Sequence, residues 1–225
     1  MSDLTPHIEP SLSPTGSLAP KYFDELYAAR RDPWEFATSR YEAVKYAATL
    51  AALPRPLYAR ALELGCSIGI LTRQLAERCE ALLATDVSAP ALEQARENCK
   101  ALEQIRFEKR DLAMTFPEGH FDLILVSEIG YYFSPRDLSN IRTAIARALT
   151  PGGHLLLVHY TGETNYPLTG DAVHDLFRAR SEDWHLLREQ TEEIYRLDLF
   201  ERSHSNRLGL AGASLAAGVA GGPTG

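Results

Sequence analysis

The feature that most constrains this chain is a regular alternation of short apolar runs with segments of helical periodicity. The apolar runs predict strands at residues 59–64, 81–85, 105–109, 121–126 and 154–160. Strands that alternate with helices at this spacing indicate a parallel sheet with helices on both faces. Right-handed crossovers would then place the carboxyl ends of these strands along one edge, where such folds bind ligands.

Two more strand-like runs follow, at residues 184–189 and 194–202, after a helical pattern near residues 170–180. Their short connection favours an antiparallel pair at the edge of the sheet. The sequence therefore predicts an α/β fold, a Rossmann-like doubly wound sheet of seven strands, mostly parallel with an antiparallel last strand. The length of 225 residues suits one domain with short additions at its ends.

The composition of the two ends differs from that of the middle. Residues 1–20 are rich in Pro, Ser, Thr and Gly with few large apolar side chains, and we expect them to be disordered. Helical spacing begins at residue 21, and Pro54 and Pro56 end that region. We predict a single domain over residues 21–202, of which 21–56 form an N-terminal helical region. The Ala- and Gly-rich tail, residues 203–225, is expected to be disordered.

Charge and cysteine usage exclude several classes of partner. The formal net charge of −7 argues against general affinity for nucleic acid or an anionic membrane, because such binding depends on Lys and Arg. The start of the chain lacks the features of a signal peptide, and no run of 18 apolar residues occurs. Three cysteines without CxxC spacing favour reduced thiols over disulfides or a metal site. We expect a cytoplasmic monomer or homodimer that binds no metal and acts on a small molecule.

The loop after the first strand identifies the expected ligand. A dinucleotide-binding loop that starts at Gly65 would need glycine at position 67 and a small residue at position 70, but the chain has Ser67 and Ile70. This counts against a nicotinamide-dependent oxidoreductase. The spacing that does occur, E-x-G-x-x-x-G from Glu63 to Gly69, forms a tight turn without a phosphate cradle. S-adenosylmethionine has no phosphate, and Glu63 could face its ammonium while helix-start N–H groups face its carboxylate.

Polar side chains also follow the next three predicted strands. Asp86 follows the second strand and could accept both ribose hydroxyls, while Asp111 follows the third and could meet the adenine amino group. Ser127 follows the fourth strand. Two simpler interpretations stay open, because Asp86 could cap the next helix and Asp111 could be a solvated loop acid. The expected cofactor site also includes their chain neighbours Cys66, Val87 and Leu112.

Three residues are candidates for catalysis. Glu128, directly beyond the fourth strand, would lie beside the expected sulfonium of the cofactor and orient or deprotonate an acceptor. His159, at the end of the fifth strand, is the second candidate base, although a buried histidine paired to backbone is an equal alternative. Tyr132 could form a wall of the site and bind the acceptor through its hydroxyl, or it could pack beneath the loop.

Several segments resemble known families. The runs ALELGCSIGILT, ATDVS, FDLILVSEIGYYF and LTPGGHLLLVHY resemble the motif series of class I methyltransferases over roughly residues 58–160. A more specific resemblance, over about residues 21–200, is to the nodulation protein S family of N-methyltransferases. It depends on Asp32-Pro33-Trp34, the stretch FATSRYE, the run SEIGYY and the segment YPLTGD.

The resemblance implies S-adenosylmethionine as methyl donor and S-adenosylhomocysteine as product. It also implies that the N-terminal helical region forms a lid over the cofactor, with Trp34 in the site and Arg40 near the methionine carboxylate. The namesakes methylate the free amine of a deacetylated sugar in a chitooligosaccharide, so the implied acceptor is an amine of a small molecule or amino sugar. The alternatives are an O-methyltransferase of a small hydroxylated metabolite and a non-catalytic protein that binds S-adenosylmethionine.

Overall fold

The N-terminal region forms two helices, as its periodicity predicts. The computed structural model describes residues 8–179 and 182–204, and in it α1 spans Pro20–Ala29 and α2 spans Arg40–Ala51. Between them the Asp32 carboxylate accepts the backbone N–H groups of Phe36 and Ala37, which fixes the turn. The Ser39 hydroxyl then accepts the Glu42 N–H and begins α2 as its N-cap.

Seven strands form one sheet in the order β3-β2-β1-β4-β5-β7-β6. They span Ala61–Leu64 (β1), Leu82–Asp86 (β2), Ile105–Lys109 (β3), Phe121–Ser127 (β4), Leu149–Tyr160 (β5), Trp184–Thr191 (β6) and Tyr195–Arg202 (β7). Strands β1 to β5 pair in parallel, and β7 pairs antiparallel with both β5 and β6. The predicted seven-stranded, mostly parallel fold is therefore confirmed, and β7 inserts between β5 and the edge strand β6.

Helices cover both faces of the sheet. They are α3 (Ile70–Leu75, continued by a 3-10 turn over Ala76–Arg78), α4 (Ala89–Asn98), α5 (Pro135–Ala148) and α6 (Gly170–Arg178). The hydroxyls of Ser88, Ser134 and Thr169 cap the first turns of α4, α5 and α6. These caps fix the residue at which each helix begins after the loop that leaves the carboxyl end of a strand.

The core lies on both sides of the central strands. Within β4, Ile124 belongs to the cluster that packs with α5 and α6, whereas its neighbour Leu125 belongs to the cluster on the α3 side. This alternation explains why β4 reads as a continuous apolar run, since a parallel strand covered on both faces has no solvent side. Among the described residues no helix has the length and apolarity needed to span a membrane.

The expectation of disorder for residues 1–20 is wrong for residues 8–19. Leu12 bridges to Leu18, Leu18 is buried, and its N–H donates to the Tyr132 carbonyl. The hydroxyls of Thr15 and Ser17 both donate to the Asp137 carboxylate in the first turn of α5. Composition predicts disorder here because the segment is polar, but its polar side chains form specific hydrogen bonds with the folded domain. Residues 1–7 and most of the predicted disordered tail, 205–225, lie outside the described residues.

Candidate ligand-binding site

A pocket opens at the carboxyl ends of the central strands, where the topology predicts it. Most of the predicted site residues line it: Trp34, Glu63, Gly65, Cys66, Asp86, Val87, Asp111, Leu112, Ser127, Glu128 and Tyr132. Residues from α1 and the preceding segment complete one wall, namely Leu18, Pro20, Phe23 and Tyr27. The fold thus brings eleven of the fourteen predicted residues together.

Both glycines of the loop after β1 are required by geometry. Gly65 has φ +80°, and a Cβ there would lie 2.1 Å from Ile129 Cγ2. Gly69 also has φ +80°, and its Cβ would lie 3.0 Å from the backbone of Ala95. Gly69 does not line the pocket, and its role is to begin α3 and allow close packing against α4.

Ser67 occupies the middle of this loop in an unusual conformation. Its φ of +51° lies in the left-handed region that favours glycine, so the serine holds a strained backbone conformation there. The serine hydroxyl lies 2.5 Å from the Tyr27 hydroxyl, so the loop is joined to α1. Sequence patterns did not identify Tyr27, because its contact with the loop joins segments that are distant in the chain.

Glu63 is a buried carboxyl group with unused bonding capacity. Only 2% of the residue is exposed, and its Oε2 has no hydrogen-bond partner among the described residues. Burial raises the pKa of Glu63 to about 7, the Thr72 hydroxyl opposes this, and the nearby negative charge of Asp86 adds to it. A buried acceptor without a partner is costly, so Glu63 is suited to a cationic ligand group.

Asp86 is held by backbone N–H groups rather than by a cation. Its oxygens accept from Ser67 N at 2.8 Å and from Ser88 N at 2.9 Å. Burial raises the pKa of Asp86, and these N–H donors counter the rise. Ser88, and not Asp86, is the N-cap of α4, so the simpler interpretation of Asp86 as a helix cap is not supported. Asp111 lines the same pocket and accepts from Ala113 N at 3.1 Å.

Glu128 lies on the β4 side of the pocket, across β1 from Asp86, and three donors hold its carboxylate. Lys45 Nζ lies 2.5 Å from its Oε1, and the Tyr131 hydroxyl donates to its Oε2 at 2.5 Å. Tyr160 N donates to Oε2 at 3.0 Å. The backbone of Glu128 has φ +59°, a strained conformation that the surrounding bonds maintain.

The sequence analysis did not predict two charged residues that contact Glu128 or its partner on the β4 side of the pocket. Lys45 and Glu42 lie on the buried face of α2, and Lys45 Nζ is 2.9 Å from Glu42 Oε1. Burial opposes the charge of Lys45, but Glu128 and Glu42 outweigh it and hold the pKa of Lys45 above its ordinary value. The available signal was a lysine at a core-facing position of the helical pattern, which indicates a buried ion pair.

The prediction that His159 is a base facing the acceptor is wrong. His159 is fully buried, is not part of the pocket lining, and accepts the Gly130 N–H at its Nε2 over 3.1 Å. Its Nδ1 lies 3.2 Å from His174 Nε2, and His174 Nδ1 lies 2.9 Å from Asp198 Oδ2. Burial, with the neighbouring His174 second, holds the pKa of His159 well below its ordinary value. The alternative of a buried histidine paired to backbone describes it correctly.

Arg40 is also misplaced by the sequence prediction. It is the first residue of α2, its side chain is exposed, and it does not line the pocket. Trp34, in contrast, lines the pocket and packs edge-on against Tyr27 at 5.6 Å between ring centroids. Tyr132 lines the pocket and also packs against Phe23 at 4.9 Å between ring centroids, and acceptor binding by its hydroxyl stays a prediction. No metal-binding cluster occurs among the described residues.

Comparisons with solved structures define the class of fold. A putative methyltransferase from Pseudomonas syringae matches with 38% identity and a TM-score of 0.65, over 73% of this chain and 100% of that one. The N-methyltransferase NodS from Bradyrhizobium japonicum WM9, solved with S-adenosylhomocysteine, matches with a TM-score of 0.73 at 23% identity, over 82% of this chain and 99% of that one. The fold is therefore that of the class I methyltransferases, as the motif series implied.

Sequence comparison then gives the family. The family model for nodulation protein S (NodS) matches residues 23–157. The nodulation protein S of Rhizobium tropici is 34% identical over 132 residues, and that of Sinorhizobium fredii is 32% identical over 132 residues; each match covers 57% of this chain. This chain belongs to the nodulation protein S family. It spans 55% and 60% of the length of these two relatives, respectively.

Proposed function

We propose that this chain is an S-adenosylmethionine-dependent methyltransferase that transfers a methyl group to an amine of a small molecule or amino sugar. The observation that carries the proposal is the pair formed by the buried carboxyl group of Glu63 and the half-buried carboxyl group of Asp86, on the β1 and β2 side of the pocket. Neither forms a salt bridge with any described residue, and Glu63 Oε2 lacks a hydrogen-bond partner there. An amino acid ammonium and a ribose diol would satisfy these groups.

The residues present fit the cofactor. Glu63 would receive the ammonium, Asp86 the ribose hydroxyls, and Asp111 with Leu112 would border the adenine. Gly65 leaves the loop free of a side chain where it approaches Ile129. The bound cofactor supplies a methyl group on a positively charged sulfur. The NodS N-methyltransferase from Bradyrhizobium japonicum was solved in complex with S-adenosylhomocysteine, which supports this assignment.

The contribution of the protein is then alignment and control of the acceptor's proton. Holding two reactants in line can supply as much as about 7–11 kcal/mol of the barrier. An amine attacks only when its nitrogen has a free electron pair, so a group beside the pocket must receive a proton. We assign this proton-accepting role to Glu128, whose carboxylate lines the pocket. Tyr132 and Phe23 also line the pocket, and their rings pack against each other.

An amine acceptor is favoured over a hydroxyl acceptor by the charges at this end of the pocket. Glu128 and Glu42 together carry one more negative charge than Lys45 balances when all three are ionised. Such a site stabilises an incoming ammonium, whereas His159, the base that a hydroxyl acceptor would need, is buried outside the pocket. Membership of the nodulation protein S family and the fold shared with an N-methyltransferase support the same choice. Cytoplasmic location and a monomeric or homodimeric state stay predictions.

Calorimetric titration with S-adenosylhomocysteine, with NAD in parallel, tests the donor. We expect one-to-one binding of S-adenosylhomocysteine and none of NAD. In a separate assay with radiolabelled S-adenosylmethionine, we expect methyl transfer to amino sugars or their oligomers but not to their N-acetylated forms. Binding without transfer to any amine would favour the non-catalytic alternative. Transfer to N-acetylated forms would favour the O-methyltransferase, and NAD binding would contradict the argument from the glycine loop.

A further inference from the structure

Three charged side chains, linked by ion pairs and largely shielded from solvent, lie behind the β4 side of the pocket, which is named the acceptor end. Lys45 Nζ lies 2.9 Å from Glu42 Oε1 and 2.5 Å from Glu128 Oε1. The side chains are 2%, 9% and 13% exposed for Lys45, Glu42 and Glu128. A buried cation between two carboxylates leaves an unbalanced negative charge, which is unfavourable in a low dielectric. One additional proton would balance the cluster.

Glu42 is the member with room for that proton. Its Oε2 is buried and has no hydrogen-bond partner among the described residues. The titratable groups that face the cluster from outside are two tyrosines of α2, two that follow β4, a histidine of β5 and a tyrosine of β7, namely Tyr41, Tyr46, Tyr131, Tyr132, His159 and Tyr195. Burial raises the pKa of Glu42, Lys45 opposes the rise, and the like charge of Glu128 strengthens it.

Glu128 connects this cluster to the pocket. An ionised carboxylate has about four acceptor positions, and Lys45, Tyr131 and Tyr160 N occupy three of them. Glu128 lines the pocket, so the remaining position is available to a ligand donor. An acceptor ammonium could therefore hydrogen-bond to Glu128 while Lys45 holds the opposite oxygen.

We propose that Glu128, Lys45 and Glu42 form a proton relay that carries a proton from an amine acceptor to Glu42. This inference rests on the proposed amine methylation. The N–H bond of the ammonium breaks, its electron pair stays on nitrogen, and Glu128 takes the proton. Lys45 gives one proton to Glu42 and receives the one on Glu128, so Lys45 and Glu128 keep their charges. Glu42 becomes a neutral acid and later loses the proton to water.

The relay specifies the class of acceptor. A pair of carboxylates of this kind can accept a proton from an ammonium, because the acidity of an ammonium lies far closer to that of a carboxyl group than the acidity of an alcohol does. The relay therefore fits a primary or secondary amine that enters as a cation. Glu42 and Lys45 do not line the pocket, and they act as positioning and proton-holding residues behind Glu128.

The first test observes Glu42 directly in the full chain. Carbon-13 NMR of protein labelled at glutamate carboxyl groups, with Glu42→Gln to assign the resonance, gives its titration midpoint. We expect a midpoint above the ordinary glutamate value of about 4.3, and a lower midpoint in Glu128→Gln because a like charge is removed. A midpoint in the ordinary range that does not respond to Glu128→Gln would overturn the relay.

The second test compares two glutamates with the same spacing to a lysine. Glu97 pairs with Lys100 as Glu42 pairs with Lys45, three residues apart, but the side chains of Glu97 and Lys100 are 67% and 72% exposed. We expect Glu42→Gln to lower kcat about 10²-fold with S-adenosylhomocysteine affinity preserved and a changed acid limb of the pH profile. Glu97→Gln should change none of these.

The outcomes separate the relay from the proposed function. If wild-type protein binds no S-adenosylhomocysteine, the proposed function fails and the relay loses its acceptor with it. If binding and methyl transfer are normal but Glu42→Gln behaves like Glu97→Gln, the relay alone is wrong. A proton-holding role predicts a changed pH profile, whereas a purely structural role of Glu42 would lower activity equally at every pH.

Discussion

The two ends of the pocket treat their carboxyl groups in opposite ways. At the donor end, which is the side of the pocket formed by β1 and β2, Glu63 and Asp86 form no salt bridge with a described residue. Asp86 accepts two backbone N–H groups, and Glu63 Oε2 has no hydrogen-bond partner among the described residues. At the acceptor end, Glu128 is held by Lys45, a tyrosine hydroxyl and a backbone N–H. Carboxyl groups thus keep unused acceptor capacity at the donor end, whereas most acceptor positions of Glu128 are occupied at the acceptor end.

This difference indicates different tasks. A buried carboxylate without a cation costs free energy that a cationic or hydrogen-bonding ligand can recover, so the donor end is built to bind. A carboxylate already held on three sides is fixed in position and keeps one acceptor position for a ligand, so the acceptor end is suited to orient an ammonium and exchange its proton. The ends meet where Gly65 passes under Ile129, the residue after Glu128.

The largest loss of stability is expected from Gly65→Ala, because the added methyl group would clash with Ile129. The added Cβ would lie 2.1 Å from Ile129 Cγ2 at a φ of +80°. Overpacking and left-handed strain together should lower the free energy of unfolding by about 3 kcal/mol, as measured by urea denaturation. Gly16→Ala is the matched control, because its φ is +88° and the nearest atom to its Cβ is 3.7 Å away.

Gly16→Ala should cost only about 1 kcal/mol, the conformational part of the effect. Equal losses in the two variants would mean that Ile129 moves aside easily. The two ends of the pocket would then be independent, and the close approach of the loops would have no energetic role.

Much of the fold was predictable because it follows from local periodicity. The strand at Ile105–Lys109 agrees with its predicted bounds, and the other strands differ by a few residues. The predictions failed where stability comes from partners distant in sequence. Residues 8–19 read as disordered, yet Thr15 and Ser17 find Asp137 more than a hundred positions later. No local pattern contains that pairing.

The second prediction contrasts the two ends directly. Asp86→Ala removes the acceptor of two backbone N–H groups and the expected partner of the ribose. Hydrogen bonds to a charged group contribute about 1.5–3 kcal/mol each, so S-adenosylhomocysteine affinity should fall about 10²-fold by calorimetry. Glu128→Ala should lower it only about threefold, since Glu128 serves the acceptor.

Circular dichroism of both variants checks that each one is folded. If Glu128→Ala lost donor affinity as severely as Asp86→Ala, the division into a donor end and an acceptor end would be wrong. Loss of affinity in neither variant would place the donor elsewhere in the protein.

The candidate site was predictable for residues that end strands and unpredictable for residues that support them. Glu63, Asp86 and Glu128 lie at the ends of parallel strands, so topology alone brings them to one edge. Lys45 and Tyr27 reach the site from helices whose placement the strand pattern does not determine. His159 ends a strand as well, but Gly130 N–H and His174 occupy its ring nitrogens. Position at a strand end does not reveal which way a side chain points.

The smallest expected effect concerns the pH dependence of the donor end. Because the pKa of Glu63 is raised to about 7, the unliganded carboxyl group is protonated below that pH and cannot pair with an ammonium. Affinity for S-adenosylhomocysteine should therefore fall about tenfold per pH unit below pH 7. Calorimetry at pH 6, 7 and 8 measures the trend, and Glu63→Gln should remove it while weakening binding at pH 8.

Stability should change with pH in the opposite direction. A carboxyl group whose pKa rises on folding binds its proton more tightly in the folded state, so protonation favours folding. The contribution of Glu63 to the free energy of unfolding is then present below about pH 4.5 and is lost as the pH rises to about 7. Urea denaturation of wild type and Glu63→Gln over this range isolates it. The donor-binding role predicts that protonation of Glu63 stabilises the unliganded protein and weakens S-adenosylhomocysteine binding. If stability and affinity both rose as the pH fell, that role would be wrong.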